Sequence, residues 1–203
     1  MKNQSPNLTD MPTDTTTSSL NLRMTVYVSL FTALIIIGGY ISVPLPVGPV
    51  PIVLADFFVM VAGLFLGFKW GLTSVALYLS LGALGLPVFA GGTSGLAVLF
   101  GPTGGYLFGY LLLVASAGFI ASKGKQSVIK NLIALVIGNL LLYAAGVPWL
   151  KTVMSFGWAG ALAAGLTPFL PGTVIKITVA VALSRILLPR FKQTLVSAPV
   201  KQR

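Results

Sequence analysis

The chain contains no cysteine and no histidine, and only three acidic residues: Asp10, Asp14 and Asp56. Without cysteine no disulfide can form, and without either residue the usual nitrogen and sulfur ligands of transition metals are missing. Two of the acids lie in a polar N-terminal stretch, so the body of the protein holds a single carboxylate. Paired-carboxylate catalysis is thereby excluded, as are Ser-His-Asp and Cys-His constellations. Charge of either sign is scarce as well: charged residues make up 8% of the 203, about a third of the share in a soluble domain. These absences turn the reading from catalysis towards binding or transport.

What fills the chain instead is apolar. Hydrophobic residues make up 56% of it, too much for a soluble fold of this size to hide, so the solvent over most of the exterior must be lipid. The sequence therefore reads as an all-α, polytopic membrane protein of one domain. The net charge of +10 does not point to nucleic acid, because the bases are scattered between apolar segments instead of forming a compact basic domain. In a membrane protein such charge encodes topology.

Residues 1–22 are rich in Ser, Thr, Asn and Pro and cannot bury enough surface to order themselves, so they read as a solvated tail. Their first apolar run comes too late, and runs too long, for a secretory signal. Six spans follow, at about 24–43, 52–67, 70–87, 104–122, 129–147 and 171–188. Lys2 and Arg23 precede the first span, Lys69 lies in the second link, Lys123, Lys125 and Lys130 lie at the fourth, and Arg185, Arg190, Lys192, Lys201 and Arg203 lie at the C-terminal end. The alternate links hold no base except Lys151. Positive-inside logic then gives six spans with both termini cytoplasmic. The expected division is a cytoplasmic tail 1–22, a membrane domain 23–190 and a basic cytoplasmic tail 191–203.

The stretch 150–170 is apolar enough to compete as a seventh span, but that would put the C-terminal bases outside. Its Gly and Ala content also suits a short or re-entrant helix, and it reads as a long outer loop. The outer links are then 44–51, 88–103 and 148–170, all rich in Gly and Pro and nearly uncharged. Irregular backbone at membrane depth is tolerated where protein buries it or a cavity solvates it. Three such links on one face predict a pocket roofed by loops.

Within that face, GGTSGLAVLFGPTGGY (91–106) lacks the Lys-Ser/Thr pair of a P-loop and the GxGxxG spacing. Its glycines either bring backbone groups close to a polar ligand, with Thr93, Ser94 and Thr103 adding hydroxyls, or serve only the packing of a tight hairpin. Lys176 lies about 7–8 Å into the last span, near a helix end whose positive dipole repels it. A buried ammonium there costs up to about 2.5–3.5 kcal/mol. A ligand carboxylate or Asp56 would offset that cost, unless the side chain snorkels to the headgroups. Asp56 starts the second span at similar depth, so the two charges either share a polar ligand or form an ion pair that locks two helices. Ser29 and Ala33 make a small-x-x-x-small pair, which permits close helix contact but arises easily by chance. Trp70, Trp149 and Trp158 read as interfacial anchors.

Four stretches together resemble one family: VPLPVGPVPIVLADFFVMVAGLFLG, LGLPVFAGG, GLAVLFGPTGGYLFGY and PFLPGTVIK. It is the BioY-type biotin-binding S component of energy-coupling-factor (ECF) vitamin transporters, and the resemblance covers about residues 24–188. It implies six membrane helices, an outward-facing biotin pocket built from outer loops and later helices, and a multi-pass chain of a prokaryotic cytoplasmic membrane. It implies no cofactor and no enzymatic activity here, since a transmembrane coupling subunit and two cytoplasmic ATPases supply the energy while the S component topples with its ligand. The family's docking point for the coupling subunit maps onto Ser29 and Ala33, with Ser29 where Ala is usual.

Three departures stand out. Thr173 replaces the Asp of the usual Pro-Gly-Asp, Asp56 stands where Asn, Gln or Thr is common, and Gly91-Gly92-Thr93-Ser94-Gly95 replaces a purer glycine or Asn-containing run. One carboxylate is lost and another gained, so Asp56 is expected to take over the missing acid's role. Biotin presents a ureido group, an apolar thioether ring and a carboxylate tail. Lys176 is the natural partner of the tail. Asp56, Thr93, Ser94 and backbone around Gly91–Gly95 would meet the ureido group, and Phe89 and Tyr106 would wall the ring. The polar roles can also be reversed, with Lys176 holding Asp56 and the tail elsewhere. An S component for another vitamin, a small membrane enzyme and a non-binding assembly subunit are the competing readings.

Overall fold

The computed structural model describes residues 14–196 apart from Val47, Lys125 and Gln126. Seven helices carry the fold: α1 (Asp14–Tyr40), α2 (Ala55–Ala83), α3 (Leu96–Phe100), α4 (Gly104–Ser122), α5 (Val128–Val153), α6 (Trp158–Gly165) and α7 (Leu170–Val196). Two short strands, β1 (Ser42–Val43) and β2 (Ile52–Val53), pair antiparallel between α1 and α2.

Five stretches are long and apolar enough to cross a membrane: Asn21–Tyr40, Ala55–Ala83, Gly104–Ser122, Val128–Val153 and Trp158–Phe191. The second makes two passes, because the chain reverses at Gly67. That glycine has φ 74° and ψ −169°, a conformation essentially closed to residues with a Cβ. Beyond it, a Cβ placed on Gly71 would lie 3.5 Å from the Cα of Gly63, although eight residues of continuous helix span about 12 Å. The two arms of α2 are thus an antiparallel pair, and six passes result, as the sequence predicts.

α4 sits centrally, packed against α2 on one side and α5 on the other, with α1 against α2. Leu140, Ile175 and Ile186 point outward and are exposed, as expected of helices that are apolar all round and meet lipid. Phe68 at the α2 reversal touches Phe119 near the end of α4, which brings Lys69 and Lys123 to one end of the bundle. Lys151 lies over Trp158, between the end of α5 and α6.

Several boundaries differ from the sequence reading. Of the expected tail 1–22, residues 1–13 lie outside the described residues, while 14–22 already belong to α1. Of the expected tail 191–203, residues up to Val196 continue α7 and the rest lie outside the described residues. The first span ends at Tyr40 because Ser42 and Val43 pair with Val53 and Ile52. α5 runs through Pro148 to Val153, so the last outer link is shorter than expected. Within it α6 has eight residues, about 12 Å of helix, too short to cross a bilayer, and the backbone breaks at Leu166 (φ −126°, ψ −59°). The stretch 150–170 is therefore a short helix and turn between passes.

Candidate ligand-binding site

The three Gly- and Pro-rich links converge on one cavity of about 450 Å³, within the range of small-molecule sites. Pro49, Val50 and Pro51 come from the β-hairpin, Phe89, Ala90 and Thr93 from the link after α2, and Gly101, Pro102 and Thr103 from the link before α4. Phe169 joins them from the turn before α7, and the helices supply Asp56, Tyr78, Tyr106, Tyr110, Tyr143 and Lys176. Of the lining residues, Pro49, Thr93 and Ala97 (the last from α3) are exposed and mark the mouth, whereas Asp56, Tyr78, Phe89 and Tyr110 are buried.

Asp56 occupies the first turn of α2, where the helix dipole favours an anion, and its Oδ1 accepts the Phe57 N–H at 3.0 Å. Lys176, about 9 Å into α7, faces the opposite preference at that helix's start. It is held by three acceptors: Asp56 Oδ1 at 2.7 Å, Asp56 Oδ2 at 2.9 Å and the Val53 carbonyl at 2.6 Å. An ammonium has three N–H donors, so all are engaged. The two side chains are 13% and 12% exposed, so each charge is neutralised chiefly by the other. Of the two partners the sequence offers for Lys176, the structure supplies Asp56.

Four tyrosines line the same cavity in two different conditions. Tyr106 donates its hydroxyl to the Gly165 carbonyl at 2.7 Å, and Tyr143 shares a 2.6 Å hydrogen bond with Thr173. Tyr78 and Tyr110 make no hydrogen bond among the described residues, so their hydroxyls are left to whatever fills the cavity. Tyr78 also meets Phe89 edge to face at 5.5 Å, fixing one apolar wall.

Of the sequence-predicted residues, Asp56, Phe89, Thr93, Tyr106 and Lys176 line the cavity. Gly91, Gly92, Ser94, Gly95 and Thr173 do not. Gly91, Gly92 and Gly95 have φ of 64°, 79° and 90°, so they serve the turn itself, and the Gly95 N–H ties that turn to the Gly82 carbonyl at 2.8 Å. Thr173 stands behind the wall, bonded to Tyr143. Ser29 and Ala33 lie far along α1 on its exposed face, beside Val26, Leu30 and Ile37. Trp149, expected as a lipid anchor, donates its indole N–H to the Gly101 carbonyl at 2.9 Å and so braces the roof.

Sequence reasoning missed Tyr78, Tyr110 and Tyr143. Tyr110 had a signal, because it lies four residues after Tyr106 and so on the same helix face. Tyr78 had none, since only the reversal at Gly67 carries it back to the cavity that Asp56 lines.

The chain is similar to known proteins over most of its length. The chain is 43% identical to the biotin transporter BioY of Thermotoga maritima over 159 residues, covering 78% of this chain and 92% of that one. It is 41% identical to a probable biotin transporter BioY of Pyrococcus horikoshii, with coverages of 77% and 91%. Its fold matches a crystal structure of the S-component for biotin from an ECF-type ABC transporter, with a TM-score of 0.78, 34% identity and coverage of 83% and 92%. The model of the BioY family matches residues 11–193. A multi-pass membrane protein with this cavity, matched over nearly all of its length, belongs to the BioY family.

Proposed function

We propose that this chain binds biotin in the loop-roofed cavity and carries it across the membrane as the substrate-binding S component of an ECF-type transporter. It is a transport subunit and not an enzyme. The observation that carries the reading is the cavity itself: apolar and aromatic walls around one neutralised Asp56–Lys176 pair and two phenol hydroxyls without a partner among the described residues. Biotin presents the complement, an apolar bicyclic ring with a ureido group and a carboxylate tail. Membership of a family whose relatives are named biotin transporters supports the same ligand.

The partners follow from the same reading. A transmembrane coupling subunit docks on α1 at Ser29 and Ala33, whose exposed small side chains permit close helix approach. Two cytoplasmic ATPases supply energy. The membrane is the cytoplasmic membrane of a prokaryote, with the end bearing Lys69 and Lys123 inside and the cavity opening outward.

Equilibrium binding of labelled biotin to the purified, detergent-solubilised chain tests the proposal. Submicromolar binding is expected, weakened at least about tenfold in Lys176→Ala, or about 1.4 kcal/mol. Folded wild type without affinity for biotin would show that the pocket takes another ligand.

A further inference from the structure

A second cavity, of about 280 Å³, lies between the start of α5 and the second half of α7. It is remote from the first: Asn131 in its wall precedes Tyr143 by about 18 Å along α5. Ser127, Val128, Arg185 and Pro189 line it and are exposed, so it opens on the outside of the bundle. Ile129, Ile133 and Ile186 flank it and are exposed as well, which marks a lipid-facing surface.

The site gathers positive charge and no carboxylate. Arg185 lines it. Lys130, in the first turn of α5, has its Nζ shielded from water without a partner among the described residues. The start of α5 adds the positive end of its dipole, and no side chain caps it. Apart from Asp14 at the tip of α1, Asp56 is the only acid among the described residues, and Lys176 takes it at the other cavity.

Asn131 adds an acceptor. Its Nδ2 donates to the Ser184 Oγ at 3.0 Å, while the Ser184 hydroxyl donates to the Val181 carbonyl at 2.7 Å. Turning the amide would set its oxygen against an oxygen with no proton left to give. The orientation is therefore fixed, and Oδ1 stays without a partner on a residue only 4% exposed. Buried polar atoms are hydrogen-bonded as a rule, so this one calls for a donor.

The complement is an anion that also carries a hydroxyl donor, on a molecule whose remainder is apolar. We infer that the cavity seats the headgroup of an anionic glycerol-type phospholipid. Its phosphodiester meets Arg185, Lys130 and the free N–H groups at the start of α5, as basic sites between membrane helices hold such groups. A headgroup hydroxyl donates to Asn131, and the acyl chains follow the exposed apolar faces of α5 and α7. Inorganic phosphate would satisfy the charge but gain nothing from that apolar surface.

The test is native mass spectrometry of the delipidated, detergent-solubilised full chain. It is titrated with phosphatidylglycerol and with phosphatidylcholine of the same acyl chains, and inorganic phosphate serves as competitor. Phosphatidylglycerol is expected to bind at least about tenfold more tightly than phosphatidylcholine, and millimolar phosphate should not displace it. Arg185→Gln removes an exposed cation and should weaken phosphatidylglycerol about fivefold, the scale of one base at a lipid surface. Asn131→Asp puts a carboxylate in the wall and should abolish the preference; if it does not fold, Arg185→Gln decides. Equal binding of the two lipids, or Arg185→Gln binding phosphatidylglycerol like the wild type, overturns the inference. Displacement by inorganic phosphate overturns it too, since the cavity would then be a site for a free anion. None of these results depends on what the other cavity binds.

Discussion

Tyr143 and Thr173 share a buried hydrogen bond of 2.6 Å between their hydroxyls, one turn of α7 ahead of Lys176. The resemblance places an acid at position 173, yet here that position holds a neutral clamp, and the carboxylate that reaches Lys176 comes from α2. The acid and base of this pocket are thus supplied by two helices that the tertiary fold brings together.

The exchange can be tested by reversal. Asp56→Asn should weaken biotin binding at least about tenfold. Adding Thr173→Asp puts a carboxylate three residues before Lys176, a spacing that places neighbours on one helix face. The double variant should recover at least about threefold of the loss, read from equilibrium binding. Normal binding by Asp56→Asn would end the idea that Asp56 replaces the missing acid.

The pair should also be coupled in stability. Removing one partner of a buried ion pair leaves the other uncompensated, a loss of about 3–5 kcal/mol, whereas replacing both by apolar residues of similar volume is often close to neutral. Lys176→Met alone should lower the detergent melting temperature more than Lys176→Met with Asp56→Leu. Additive effects in that double-mutant cycle would mean that the pair contributes no coupling.

Gly67→Ala addresses the reversal of α2. No heavy atom lies near a Cβ at that position, so the cost is backbone strain alone, about 1–3 kcal/mol. The variant should unfold at a lower temperature, while the folded fraction keeps its biotin affinity. An unchanged melting temperature would show that the turn tolerates a side chain.

The proposed docking on α1 should be separable from binding. Ala33→Leu adds bulk to an exposed face that lines no part of the cavity. It should leave biotin affinity unchanged but block co-purification with the coupling subunit when both are expressed together. A complex that forms normally would move the docking surface elsewhere.

Class, number of passes and the end of the bundle that carries the cavity were legible in the primary structure. Scarce charge and long apolar runs leave lipid as the solvent, and lipid tolerates irregular backbone only around a cavity. The Gly- and Pro-rich links therefore announced the pocket before any contact was known. Asp56 and Lys176 were legible for the same reason, as lone charges at similar depth in apolar helices.

The glycine run shows where such reading stops. Composition could not separate glycines that approach a ligand from glycines that serve a tight hairpin, and neither reading announced that Gly91, Gly92 and Gly95 take positive φ. Thr173 stood out as a departure from the family's acid and Thr93 as a hydroxyl donor, yet one lies behind the wall and the other at the mouth.

By itself, then, the sequence determined a six-pass membrane protein with one buried acid, one buried base and a roof of flexible links. Those properties follow from the local balance of apolar surface, charge and backbone freedom against the bilayer. Only the tertiary structure decided that Lys176 spends all three of its donors on Asp56 and Val53, that Tyr78 returns to the cavity through Gly67, and that two tyrosine hydroxyls find no partner among the described residues. Each depends on which side chains from distant helices fill the same small volume, and no local pattern encodes that.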